Sequence, residues 1–177
     1  MAYNAVIDQK VIEDAPAEPV TLEEAKAYMK VDYTEEDAFI NSLIRAARKV
    51  LEEKYDIGIV EKTLKVIINN SCGGRDLPGS PITEIVSVAT QAGPLTDFDI
   101  VGDFHRYVEW PVCDRVTVTY KSGYLLDQVP AEYKTAIMAQ VLWMFERRGD
   151  QDISSQVSPE ADGILKFYKR NSFGLFL

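Results

Sequence analysis

The side chains of this chain that could do chemistry are few and scattered. Nucleophilic catalysis needs a Ser, Cys or Thr beside a base, and a further group to orient that base. The single histidine, His105, sits in a turn-rich stretch with no recognisable motif around it. A histidine exposed in a loop, or packed between strands, is therefore expected rather than a general base. Cys72 and Cys113 have no Cys-x-x-Cys spacing and only His105 as a nitrogen ligand, too few groups for zinc, so both are expected as free, reduced thiols. Ser71-Cys-Gly-Gly-Arg-Asp76 is glycine-rich but lacks the phosphate-loop pattern and opens no helix, which makes a hairpin connection the better reading. The carboxylate pairs Glu23-Glu24, Glu35-Glu36-Asp37 and Glu52-Glu53 fall in first turns or on polar helix faces, where solvated charge is the expected role. No loop has calcium-binding spacing. The residue types thus imply no enzymatic activity, no metal and no cofactor.

The elements that would position these residues are clearer. Thr21-Leu-Glu-Glu24 has capping-box spacing and predicts a short helix to about Lys30. Thr34-Glu-Glu-Asp37 opens a second helix, in which Ile40, Leu43, Ile44, Ala47, Val50, Leu51 and Tyr55 form one apolar stripe. Arg45, Arg48, Lys49, Glu52, Glu53 and Lys54 lie between those positions, and Gly58 is expected as a left-handed stop over a span of 34 to 57. From Val60 to Tyr124 the period becomes two, as at Leu64, Val66, Ile68 and at Val116, Val118, Tyr120, with shorter strands expected near 85–90 and 107–110. A helical pattern returns at Pro130, carried by Tyr133, Ile137, Val141 and Met144, and ends at Gly149. Ser158-Pro159 then caps a last short helix.

Hydrophobic residues make up 46% and charged residues 27% of the 177 positions, which is globular composition and argues against disorder. The expected fold is mainly α, with a small antiparallel β insertion and a helical-bundle core of about four helices. By position, residues 1–18 read as an extended N-terminal arm. Residues 19–170 read as one domain, with its helical core at 19–58 and 128–170 and the insertion at 59–127; residues 171–177 read as a separate tail. The formal charge of -9 disfavours tight, sequence-reading DNA binding. The longest apolar run, Ala136 to Phe145 around Gln140, is too short to span a bilayer, and the start of the chain does not read as a secretory signal. Synthesis in the cytoplasm and no membrane partner are expected. A helical regulatory or binding module would suit this composition too, although Glu35-Glu36-Asp37 would face DNA phosphates unfavourably in a helix-turn-helix.

Read in order, several segments resemble a known family. Pro19-Val-Thr-Leu-Glu-Glu-Ala-Lys-Ala-Tyr-Met-Lys-Val-Asp32, then Glu36-Asp37, Ile40, Leu43-Ile44 and Ala46-Ala47-Arg48, are similar to the opening of the tailed-phage head-tail connector (head-completion adaptor) proteins. Leu77-Pro-Gly-Ser-Pro-Ile82, Val118-Thr-Tyr-Lys-Ser-Gly-Tyr124, Val129-Pro130 through Ala136-Ile137, and Phe145-Glu-Arg-Arg148 resemble its later parts. The resemblance implies a structural virion protein in the neck between capsid and tail. It implies a ring of about twelve copies under the portal protein, with a downstream neck or tail protein below and a channel through which DNA passes without sequence-specific binding.

A closed ring needs one face for the protomer's own core and another for its neighbour. Met138 and Trp143, off the main stripe of the 130–148 helix, are the expected neighbour-facing surplus. Phe173, Leu175, Phe176 and Leu177 form an uncharged apolar tail. It is expected either to insert into the portal, by adding a strand, or to fold back on its own helices.

Overall fold

Two periodicities divide the chain, and the computed structural model, which describes residues 5–71, 73–111, 114–149 and 156–168, resolves them into two compact units. One comprises residues 1–17 and 60–126 and the other residues 18–59 and 127–177. The backbone therefore passes from one to the other three times.

The sheet unit holds β1 (Ala5–Glu13), β2 (Lys62–Ser71), β3 (Arg75–Asp76), β4 (Ile82–Thr90), β5 (Gly93–Pro94), β6 (Asp99–Val101), β7 (Tyr107–Glu109) and β8 (Asp114–Ser122). Five strands form an antiparallel sheet in the order β1-β2-β8-β4-β5, and three form a smaller one in the order β3-β7-β6. Register puts Leu64 opposite Tyr120, Val66 opposite Val118 and Ile68 opposite Val116. All six are buried, together with Ile82, Val88, Leu77, Val108 and Trp110, each large apolar side chain contributing roughly 1.5–3 kcal/mol. The alternate positions Lys65, Thr117 and Thr119 stand on the opposite face, which is why the period of two was readable. Gly123, just past β8, has φ +105°, and a Cβ there would lie 2.4 Å from the Val60 carbonyl oxygen. Only glycine lets the Val60 and Tyr124 backbones meet in their parallel bridge.

The helical unit holds α1 (Leu22–Met29), α2 (Asp37–Tyr55), α3 (Ala131–Glu146) and α4 (Pro159–Leu165). The Thr21 hydroxyl accepts from the Glu24 amide (3.2 Å) and the Glu24 carboxylate accepts from the Thr21 amide (2.8 Å), the reciprocal cap that the spacing predicted. α2 buries Ile40, Leu43, Ile44, Ala47, Leu51 and Tyr55, and α3 packs against α1, α2 and α4. The side chain of Gln140, fully buried, ties α3 to the chain before α4. It donates to the Gln156 carbonyl (2.9 Å) and accepts from the Ser158 amide (2.7 Å). Tyr55 donates to Asp162 (2.6 Å) and Tyr28 to Glu160 (3.2 Å), tethering α4 to α2 and α1. No helix of the described residues is long and apolar enough to cross a membrane.

Three expectations need correction. The fold is not mainly α with a small insertion: helix and strand fractions are 35% and 32%, and the strands build two sheets. Part of the extra strand lies in residues 5–13, which read as an arm. This segment is extended but is paired along its length with β2. Its ladder slips at Ile7 and again at Ile12, and each bulge breaks the alternation by which a strand is recognised. Finally, α2 starts at Asp37 rather than Thr34 and stops at Asp56, which takes the left-handed conformation (φ 55°) two residues before Gly58. An aspartate tolerates that region better than most side chains.

Candidate functional site

The residues that could have been reactive are built into structure. The His105 ring meets the Ser80 hydroxyl through Nδ1 at 2.7 Å and packs edge-on to Phe104. A serine beside a histidine is the start of a hydrolytic triad. Ser80, however, is only 1% exposed, so no substrate carbonyl can reach its hydroxyl, and the contact serves to hold the loop. Among the described residues no group of three His, Cys, Asp or Glu could hold a metal ion. Cys72 and Cys113 lie outside the described residues.

Two charged residues expected on the solvated face of α2 are buried. Arg48 (2% exposed) donates from Nε and Nη2 to Glu18 at 2.7 and 3.1 Å, and from Nη1 to Glu52 at 3.0 Å. The other oxygen of Glu52 accepts the Ile59 amide at 3.0 Å. This fork-shaped pairing uses the guanidinium geometry fully. It gathers Glu18 and Ile59, the two ends of the first segment of the helical unit, onto one helix.

The remaining candidates are surfaces of the two units, each taken by itself. Met138 and Trp143 are both half-buried on α3, but five residues of helix set them about 140° apart around its axis. They belong to different flanks and do not form one patch. On the Met138 flank, Phe145 stacks obliquely on the exposed Phe39 of α2, their ring centres 6.3 Å apart, and the Arg148 guanidinium lies 4.8 Å from the Phe145 centre. Arg148 also pairs with Glu36, which accepts the Tyr33 hydroxyl at 2.8 Å. The tyrosine hydrogen bond foremost, and Arg148 after it, hold the Glu36 carboxyl below its ordinary range, and the same hydrogen bond to Glu36 pushes the Tyr33 hydroxyl up. On the other flank, Arg147 lies 4.8 Å over the Trp143 ring.

In the sheet unit an open cleft of about 270 Å3 is lined by Asp97, Phe98, Asp99, Glu109 and Trp110. The sequence singles out neither Arg147 nor this cleft, whose residues are scattered over loops and short strands with no shared spacing. The tail residues Phe173, Leu175, Phe176 and Leu177 lie outside the described residues.

Residues 19–92 match the family model of phage gp6-like head-tail connector proteins, so the resemblance read from the sequence is borne out by that stretch. No curated protein matches the chain. Among solved structures, a chain from the neck of an empty GTA particle computed with C6 symmetry aligns with a TM-score of 0.76 at 15% identity, covering 93% of this chain and 96% of that one. A chain from the virion of a native gene transfer agent (GTA) particle aligns with a TM-score of 0.74 at 16% identity, over 92% and 95%. A chain from the neck of the native GTA particle computed with C12 symmetry gives 0.73 at 15%, over 93% and 96%. At these identities the likeness is one of fold, and it extends well beyond the connector-family match. The family match supports a head-tail connector for the stretch 19–92, and the solved structures show a fold shared along nearly the whole chain.

Proposed function

We propose that this chain is a non-enzymatic ring subunit that completes a DNA-filled head, sits beneath the portal protein and offers the tail-side component its attachment point. The observation that carries the reading is the coincidence of a connector-family match over residues 19–92 with a fold shared along nearly the whole chain with a neck protein solved in C12 symmetry. A ring of about twelve copies requires a heterologous interface that closes on rotation. Met138 and Trp143, on opposite flanks of α3, suit two different neighbours or a neighbour and a core. The uncharged tail bearing Phe173, Leu175, Phe176 and Leu177 is proposed to dock on the portal. The net charge of -9 fits a channel past which DNA slides, since a wall that bound phosphates would retard it.

The test is complementation. Purified chain added to tail-less, DNA-packed capsids lacking this component should attach and restore infectious particles once tails are supplied, and failure of both steps overturns the reading. A chain ending at residue 170 should restore neither portal binding nor infectivity. Undiminished docking by that truncation rules out the tail as the portal contact and leaves the remainder intact.

A further inference from the structure

Arg147 and its tryptophan are arranged as an unused anchor. The guanidinium is exposed yet held over Trp143 by a cation–π contact, and among the described residues it has no carboxylate partner. The adjacent Arg148, by contrast, is committed to Glu36 and Phe145. Stacking orients the Arg147 head group before any partner arrives, so little side-chain freedom remains to be lost on binding. Tryptophan and arginine are also the side chains that most often dominate interface energies.

The cleft of the sheet unit has the complementary chemistry. Asp97, Asp99 and Glu109 are exposed and take part in no ion pair among the described residues, while Phe98 and the 2%-exposed Trp110 give it apolar walls. Surface carboxylates alone would be ordinary solvated charge. Set around a concavity of about 270 Å3, they suit a flat cation with weakly hydrated faces, and a guanidinium answers that description better than an ammonium.

We infer that Arg147, carried on Trp143, docks into the Asp97–Asp99–Glu109 cleft of a second copy of this chain. The inference rests on the ring reading above and deepens it. A head-to-tail interface needs two unlike patches on every copy, and these are unlike and opposite in charge. Each copy offers one anchor and one receptacle, so a closed circle leaves neither unused.

Charge exchange in the full-length chain tests this, with association followed by sedimentation velocity over a concentration series. R147E alone and D97K/D99K alone should each weaken self-association about tenfold or more. R147E/D97K/D99K in one chain should recover most of the loss, and so should an equimolar mixture of the two defective variants, because each interface in the mixture again pairs opposite charges. All substituted positions are exposed, and a variant that had merely misfolded would not be rescued. Unimpaired association of R147E, or a combined variant no better than its parents, overturns the inference and leaves the ring to other contacts. Wild-type chains that stay monomeric throughout also overturn it, and the ring reading then stands or falls by the capsid experiment.

Discussion

Loss of Arg48 is expected to cost the helical unit heavily. Removing one member of a buried, hydrogen-bonded ion cluster leaves the others desolvated and unpaired, a penalty of about 3–5 kcal/mol. Because Glu18 is partly open to water, R48A should fall near the lower end, about 3 kcal/mol, read from the urea midpoint. Arg48 and Glu52 could not be distinguished in the sequence from Arg45 and Glu53. Helical spacing places a residue on a face, but whether a salt bridge lets that face be buried depends on Glu18, thirty residues earlier. Tyr55 gives a second expectation. Burial, and then its bond to Asp162, raise the phenol's pKa above the ordinary value. The folded chain thus holds this proton more tightly than the unfolded one. The associated stability is complete below the unfolded value near ~10 and is lost as pH rises past it. Denaturant midpoints should fall on the alkaline side in the wild type and fall less steeply in Y55F, which at neutral pH should be weaker by about 1 kcal/mol.

Among elements, the helices were legible because their signals are local. The α1 cap is written in four consecutive residues, and T21A should cost about 1 kcal/mol, seen as a lowered melting temperature. The strands β2 and β8 were legible through alternation. β1 was not, because its two bulges shift side chains between faces. β3, β5 and β6, of two or three residues each, are too short to carry a period at all. One feature of the β8 exit is equally non-local: G123A forces a Cβ onto the Val60 carbonyl at an unfavourable φ. It should destabilise by about 1–3 kcal/mol, with hydrogen-exchange protection lost first around Glu61, whose amide bonds to the Tyr124 carbonyl at 2.7 Å.

For the molecule as a whole, assembly is the property to measure. Twelve chains of 19.9 kDa would give a native mass of about 240 kDa, in solution or on portal rings. The resemblance to the connector family was legible in the run of segments that the family model matches, residues 19–92, whereas the balance of helix and sheet was not, because four of the six strand pairings join segments far apart in the sequence. That pairing has a consequence for synthesis. β1 leaves the ribosome first, yet its partner β2 follows some fifty residues later, after α1 and α2, an interval of about 3–10 s at ordinary translation rates. For that time a nascent strand carrying Ile7, Val11 and Ile12 has nothing to pair with but its counterparts on neighbouring polysomes. Asp8, Lys10 and Glu13, spaced through it, are placed to keep those nascent chains apart.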